Sequence, residues 1–254
     1  MCGRAVDPPR AVECWTRSGS VAQRLICFPH AGAGAAAFQA WSALLPPHIE
    51  LCALRLPGRE QLVRGTPFQR LAPLIDWAID VLTPMLAHPC VFFGHSLGAL
   101  IAFDLARELR RRKLPSPQGL LVSGHRAPQL PRRQPPLAGL PDSEFIARVE
   151  ALGGTPVTEA FAHPELRSLI LPALRADFAI LENYTYTDAP PFEFSLCIYG
   201  GADDPLVPVE DLAPWAEQTR GTFSRRVFPG DHFYLQTQRD ALLQEISDAC
   251  RRLL

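Results

Sequence analysis

Apolar residues follow two patterns along the chain: short unbroken runs alternate with longer stretches in which they recur every three or four positions. Runs of about four to eight apolar residues are typical of buried strands, and the longer periodic stretches are typical of helices with one buried face. This alternation predicts a mostly parallel central sheet flanked by helices on both sides. The predicted strands are 24–29, 49–56, 90–93, 120–123, 195–199 and 222–228, and the predicted helices are 38–45, 71–86, 97–112, 209–218 and 239–253.

The alternation is interrupted between residues 126 and 191. This segment contains several prolines and two helix-like stretches, 142–152 and 164–181, with no convincing strand between them. We predict that it is a helical lid inserted over a functional site, the alternative being a plain surface excursion. Gly153 and Gly154 lie between the two stretches. They would act either as a hinge or simply as the end of the first helix. Because there is no repeat and no low-complexity linker, we expect residues 1–254 to form a single domain.

The charge balance limits the kinds of partner. The 254 residues include 25 Lys and Arg and 26 Asp and Glu, for a formal charge of −1. This near-neutral balance gives no reason to expect nucleic acid or an anionic membrane as a partner. No window approaches the roughly 18 apolar residues of a membrane span. Residues 1–10 carry charge and two prolines without an apolar stretch, so we expect no secretory signal and a cytoplasmic protein.

The cysteines argue against metal chemistry. There are seven, with no CxxC pair. Four lie inside apolar, strand-like runs: Cys27, Cys52, Cys90 and Cys197. These four are expected to be small buried side chains in a reducing compartment. A cysteine nucleophile or a zinc site is therefore disfavoured, and we expect no metal.

A candidate nucleophile lies in the sequence Gly94-His95-Ser96-Leu97-Gly98, which fits the G-x-S-x-G pattern. The pattern alone is weak, but here an apolar strand precedes it and a helical pattern follows it. A sharp strand-to-helix turn exposes the serine hydroxyl, and the glycines let neighbouring backbone approach closely. We therefore predict an α/β-hydrolase fold with Ser96 as the nucleophile.

The general base and its acid should follow the nucleophile, because this fold orders its triad as Ser, acid and His. His163 precedes a proline within the predicted lid and is expected on the surface. His232 follows the last predicted strand and is the expected base. Two acids, Asp203 and Asp204, follow the strand at 195–199. We favour Asp204 as the orienting carboxylate, and expect Asp203 to cap the next helix or to face solvent.

An oxyanion hole needs two backbone donors. The first is expected at Leu97, directly after the nucleophile, and the second in the loop that follows an early strand. Residues 28–34 occupy that place, and their small side chains favour Ala31 as the second donor. His30 is expected to shape this loop rather than to act in catalysis. The loop lacks the lysine of a phosphate-binding P-loop.

Together these motifs resemble the type II, or editing, thioesterases of modular polyketide and non-ribosomal peptide synthases. The resemblance covers nearly the whole chain. Its motifs are FPHAG at 28–32, RLPGRE at 55–60, GHSLGA at 94–99, SGHRAP at 123–128, LRADF at 174–178, GADDP at 201–205 and GDHF at 230–233. The chain departs from the usual family pattern at Ala33 and Leu97. Because these residues touch the expected oxyanion loop, the departures are expected to affect the reaction rate rather than the type of chemistry.

The resemblance implies a serine thioesterase with the triad Ser96, Asp204 and His232. Its substrate would be an acyl thioester on the phosphopantetheine arm of an acyl or peptidyl carrier protein, and it would remove stalled or wrongly loaded acyl groups. No cofactor is implied beyond the phosphopantetheine that the substrate carries. Three alternatives remain: a medium-chain fatty acyl thioesterase, a general carboxylesterase or acyltransferase, and a non-catalytic binding protein that keeps the fold.

Overall fold

A seven-stranded sheet forms the centre of the protein. The computed structural model describes residues 11–15, 20–152, 161 and 163–254. The strands are β1 (Val12–Trp15), β2 (Gln23–Phe28), β3 (Ile49–Leu54), β4 (Cys90–His95), β5 (Gly119–Ser123), β6 (Ser195–Gly201) and β7 (Phe223–Phe228). Their order across the sheet is β1-β3-β2-β4-β5-β6-β7. β1 pairs antiparallel with β3, whereas the other neighbouring strands pair parallel.

Helices connect these strands. The α-helices are α1 (Leu71–Leu82), α2 (Leu97–Arg111), α3 (Asp142–Ala151), α4 (Pro164–Asn183), α5 (Tyr234–Thr237) and α6 (Arg239–Arg252). The described residues also form 3₁₀ helices at Ala35–Ala43, Glu60–Leu62, Thr83–Met85 and Val209–Gln218. The mostly parallel sheet with flanking helices confirms the predicted architecture.

Both faces of the sheet are buried, which explains the unbroken apolar runs in the sequence. Successive strand residues point to opposite faces. In β2, Ile26 and Phe28 join a core cluster that includes residues of α1 and α2. Leu25 and Cys27 join a second cluster on the other face, with residues of α6 and of the 3₁₀ helix at Ala35–Ala43. A strand covered on both faces must be apolar at every position rather than at alternate ones.

The structure differs from the sequence prediction in several elements. The short edge strand β1 was not predicted. The helix predicted over 71–86 ends at Leu82 and continues as a 3₁₀ turn, since Pro84 has no N–H to extend the α-helical bonding. The helices predicted near 38–45 and over 209–218 are 3₁₀ rather than α-helical.

The segment predicted as a lid supplies α3 and α4, between β5 and β6. These helices share a separate core cluster that contains Leu137, Phe145, Val149, Phe161, Leu171 and Leu174. Leu166 and Leu169 of α4 lie outside this cluster and are 45% and 55% exposed. Gly153 and Gly154, the possible hinge, lie outside the described residues.

The four cysteines predicted to be buried are confirmed as free thiols in the interior: Cys27, Cys52, Cys90 and Cys197. Burial raises the pKa of Cys90 to about 12, and it raises that of Cys27 well above its usual value. In the described part of the chain, no helix has the length and apolar character needed to cross a membrane.

The close contact between the start of α2 and the end of β2 generates a stability prediction. A Cβ added at Gly98 would fall well inside contact distance of the backbone carbonyl of Phe28. We therefore expect Gly98→Ala to lower the free energy of unfolding by about 2–3 kcal/mol, as overpacking against backbone does. Urea denaturation of both proteins measures this loss.

Gly139→Ala is the matched control, because a Cβ added there meets no atom within 4 Å. This substitution should change the unfolding free energy by less than about 0.5 kcal/mol. Equal losses in the two variants would show that the α2–β2 contact is not tight.

Candidate active site

Ser96 lies at a sharp turn between β4 and α2. Its backbone has φ 54° and ψ −117°, in a region that residues other than glycine rarely adopt. Such a conformation costs on the order of 1–3 kcal/mol and persists only where the surroundings enforce it. The Ser96 N–H donates to the carbonyl of Ser123 at 2.8 Å, and the Ala99 N–H donates to the carbonyl of Ser96 at 3.0 Å. The turn thus has the geometry that the G-x-S-x-G motif predicts.

His232 and Asp204 form a buried pair next to this turn. Nδ1 of His232 lies 2.7 Å from Oδ2 of Asp204. The other carboxylate oxygen, Oδ1, accepts hydrogen bonds from the backbone N–H groups of Leu206 at 2.8 Å and Val207 at 3.1 Å. The carboxylate is therefore fixed at both oxygens. Asp203 is exposed to solvent instead, one of the two positions expected for it.

Two backbone N–H groups near Ser96 have no acceptor. Within the described residues, neither the Ala31 nor the Leu97 N–H makes a hydrogen bond. Leu97 is the first residue of α2, where backbone amides have no partner inside the helix. Ala31 follows β2, and Nδ1 of His30 lies 3.0 Å from its carbonyl oxygen. This contact agrees with the expected role of His30 in shaping the loop.

Ser96 and His232 line two adjoining cavities beside helices α3 and α4. The larger has a volume of about 200 Å³ and the smaller about 80 Å³. The larger cavity is walled by apolar side chains and by arginines: Leu100, Leu137, Leu152, Phe178, Leu181, Leu206 and Val207 with Arg126, Arg132 and Arg148. The smaller one includes Ala31 and Val149. A wider surface groove of about 730 Å³ lies around Arg107 and Arg110 and touches none of the predicted site residues.

The family assignment rests on most of the chain's length. The sequence pattern of the thioesterase domain family matches residues 23–250. The chain belongs to this family. It is 38% identical over 231 residues to the gramicidin S biosynthesis protein GrsT of Aneurinibacillus migulanus, covering 91% of this chain and 90% of that protein. It is also 30% identical over 232 residues to the medium-chain S-acyl fatty acid synthase thioesterase of Rattus norvegicus, covering 89% and 86%.

Solved structures of thioesterases share the fold of this one. The type II thioesterase BorB from the borrelidin biosynthetic cluster superposes with a TM-score of 0.84 at 31% identity, covering 95% of this chain and 97% of that chain. YbtT, the type II thioesterase of the yersiniabactin NRPS/PKS pathway, gives 0.82 at 31% identity, covering 94% and 98%. The predicted α/β-hydrolase fold and the resemblance to type II thioesterases are both confirmed, and the protein is an acyl-thioester hydrolase.

Three further histidines of this thioesterase lie near Ser96 and His232. The His95 ring lies 5.0 Å from that of His232 and 5.8 Å from that of His30, between ring centroids. Burial lowers the pKa of His30 and of His125 to about 4, and lowers that of His95 well below its usual value. These three imidazoles are therefore neutral at pH 7.

The contacts of His95 and His125 were not expected from the sequence. Nδ1 of His95 lies 2.8 Å from Oγ of Ser123, which in turn lies 2.6 Å from the hydroxyl of Tyr234. His125 is buried and its Nδ1 lies 2.7 Å from the carbonyl of Arg126. A signal was available, since each of these histidines stands at or just after the carboxyl end of a predicted parallel strand. Such ends share one edge of a sheet.

A metal centre is not indicated by the side chains. No group of three or more His, Cys, Asp and Glu residues suited to holding a metal ion occurs among the described residues. The arrangement around Ser96 is instead a hydroxyl, an imidazole paired to a carboxylate, and two free backbone donors. These groups suit acyl transfer through a serine.

The buried histidines predict how stability changes with pH. Unfolded histidine has a pKa near 6.5, whereas folded His30 and His125 have pKa values of about 4. Between these values only the unfolded state binds the protons, so stability falls as pH is lowered from 6.5 to 4. Inside this window each of the two should contribute about 1.4 kcal/mol per pH unit.

Urea denaturation between pH 7 and pH 4.5 checks this slope in the parent protein and in His125→Gln. Near pH 5, the slope of unfolding free energy against pH should be smaller in the variant than in the parent by about 1.4 kcal/mol per pH unit. His163→Gln, at an exposed position before α4, should leave the slope unchanged. Identical slopes in the parent and His125→Gln would contradict the burial of a neutral His125.

Proposed function

We propose that this thioesterase is an editing enzyme that hydrolyses acyl groups from the phosphopantetheine arm of acyl or peptidyl carrier proteins in polyketide or non-ribosomal peptide biosynthesis. The observation that carries this proposal is the likeness, over nearly the full length of both chains, to type II thioesterases of known structure. Free cysteines, five of the six described being buried, suit a reducing compartment and support a cytoplasmic location.

The proposed reaction proceeds through an acyl-serine. The hydroxyl oxygen of Ser96 attacks the thioester carbonyl carbon while Nε2 of His232 takes the hydroxyl proton. Asp204 holds Nδ1 of His232, which fixes the tautomer and stabilises the imidazolium. When the tetrahedral intermediate collapses, the C–S bond breaks and the thiol leaves with the proton from His232. Water, activated by the same histidine, then releases the acid and restores Ser96.

The negative charge of each tetrahedral intermediate needs donors that are already in position. The N–H groups of Leu97 and Ala31 are the proposed donors, because both are free in the described structure. The positive end of α2 adds to this stabilisation. The reaction uses acid–base and nucleophilic chemistry alone, so the proposal includes no cofactor apart from the phosphopantetheine of the substrate.

The small volume of the cavities supports a small acyl group as the substrate's acyl chain. The larger cavity, about 200 Å³, is below the range of roughly 300–1,000 Å³ that is typical of ligand pockets. Phe178 of α4 and Leu152, next to α3, line both cavities, so the position of the lid helices sets the space available. We propose that the lid gates acyl entry. Discrimination between chain lengths should be modest, at about 1–3 kcal/mol for each methylene.

The main alternative is release of medium-chain fatty acids, which the similarity to the rat medium-chain thioesterase favours. It would use the same residues and differ in acyl length and in the carrier.

A substrate comparison tests the proposed function. We expect acetyl and propionyl groups on a carrier protein to be hydrolysed with a higher kcat/KM than octanoyl groups, and much faster than the matching free oxoesters. Ser96→Ala should keep the fold and lose about a million-fold in kcat, as removal of a triad serine does. A preference for octanoyl carrier protein would favour fatty acid release, and equal turnover of the oxoesters would favour a general carboxylesterase.

The two neighbouring acids provide a matched pair of variants. Asp204→Asn should lower kcat by about ten-thousand-fold, because an amide at this position favours the wrong histidine tautomer. Asp203→Asn should stay close to the parent rate, since that side chain is exposed. Steady-state kinetics on one acyl thioester measures both. The opposite order of effects would reject Asp204 as the orienting acid.

A further inference from the structure

Asp177, in the middle of lid helix α4, is a buried carboxylate that the proposed reaction does not use. It is 2% exposed. Its Oδ1 accepts a hydrogen bond from Nη2 of Arg59 at 2.7 Å, and its Oδ2 accepts one from Nη1 of Arg59 at 2.7 Å. Oδ2 also accepts the backbone N–H of Gly32 at 2.8 Å. A buried carboxylate with this full set of partners holds a defined position, because losing any partner leaves charge uncompensated.

The partners of Asp177 lie in the loop that carries the proposed oxyanion donor. Gly32 directly follows Ala31 and has φ 78°, a conformation that strongly favours glycine. Arg59 donates through the same Nη1 to the carbonyl of Ala33 at 2.9 Å. Asp177 and Arg59 thus bind the N–H of one residue and the C=O of the next. Because these peptides adjoin Ala31, their position sets where the Ala31 N–H lies.

The next residue on the helix connects this ion pair to the acyl pocket. Phe178 lines both cavities that contain Ser96. A shift of α4 that moves Phe178 also moves Asp177, and with it the hydrogen bond to Gly32. The contents of the acyl pocket and the geometry of the oxyanion loop are therefore linked through two adjacent residues of one helix.

We propose that Asp177 is a positioning residue that couples the seating of lid helix α4 to the oxyanion hole. With α4 seated, the carboxylate and Arg59 hold residues 31–33 in place for the transition state. When α4 is displaced, the bond to Gly32 is lost and the loop is released. The inference rests on the proposed function in one respect: it takes the Ala31 N–H as an oxyanion donor.

Asp177→Asn tests the coupling, because it keeps the side-chain shape but removes the charge and one acceptor. We expect kcat to fall by about 100-fold, within the effect of losing an oxyanion donor, while KM stays within a factor of about three. The loss should be equal for acetyl, butyryl and octanoyl pantetheine thioesters. The Ki of a trifluoromethyl ketone analogue, whose hemiketal oxygen occupies the oxyanion hole, should rise by the same factor as kcat falls.

Glu182→Gln is the matched control on the same helix. Its carboxylate, 10% exposed, accepts the backbone N–H groups of Leu137 and Ala138 and does not contact residues 30–34. This variant should leave the Ki of the ketone unchanged even if the lid becomes looser. An equal rise in Ki in both variants, or a loss of kcat in Asp177→Asn with an unchanged Ki, would overturn the proposal.

Arg59→Lys provides a second route if Asp177→Asn does not fold. A lysine keeps the charge but cannot pair bidentately with the carboxylate and also reach the Ala33 carbonyl with fixed geometry. It should lower kcat and raise the Ki of the ketone together, and a parent-like Ki in this folded variant would overturn the proposal. These readings use small thioesters and an inhibitor. They are therefore independent of whether the parent edits carrier proteins, which acyl carrier protein turnover tests separately.

Discussion

Parallel pairing of strands β2 to β7 is the constraint on which the site depends. Parallel strands all end at the same edge of the sheet, so the loops that follow them meet there. One residue of the proposed site follows each of four strands: Ala31 after β2, Ser96 after β4, Asp204 after β6 and His232 after β7. Ala31 and His232, which are 201 positions apart in the sequence, thereby lie at the same site.

The strained backbone of Ser96 is held in place by close contacts of the residues around it. The Ser96 N–H is bound to Ser123 on the neighbouring strand, which fixes the peptide before the turn. The space that a side chain at Gly98 would need is filled by Phe28 and Pro29, so the first turn of α2 lies against the start of the loop that carries the proposed oxyanion donor. A positive φ at serine would relax to an ordinary conformation if either contact were loose. Backbone contacts of β2 and β5 with this turn therefore maintain the conformation that Ser96 adopts.

Sequence reasoning succeeded where the signal was local or depended on order. The strands that are buried on both faces stood out as unbroken apolar runs, and the order Ser, Asp, His selected the residues that the fold brings together. It missed β1 because a four-residue edge strand with the sequence VECW has no clear period. It missed the 3₁₀ character of two helices, since apolar spacing distinguishes 3₁₀ from α-helix poorly over nine or ten residues. The contact of Arg59 with Asp177 spans 118 positions and leaves no local pattern.

The two helices of the predicted lid, α3 and α4, are held in different ways. Helix α4 is tied to the body of the protein by polar groups, through Asp177 to the oxyanion loop and through Asn183 to the carbonyl of Gln69. Helix α3 packs its buried residues, Phe145 and Val149, within the cluster that it shares with α4, and its ion pair to Arg175 of α4 is made through the exposed Asp142, where such a pair is weak. Displacing α4 would separate a buried ion pair, which is costly because each charge would lose its partner in a poorly solvated position. Displacing α3 exposes apolar surface, a cost that an entering acyl chain can offset by covering the same surface. If the proposed lid moves during substrate entry, α3 is therefore expected to be the cheaper element to displace, whereas α4 is bonded to the loop that carries the proposed oxyanion donor.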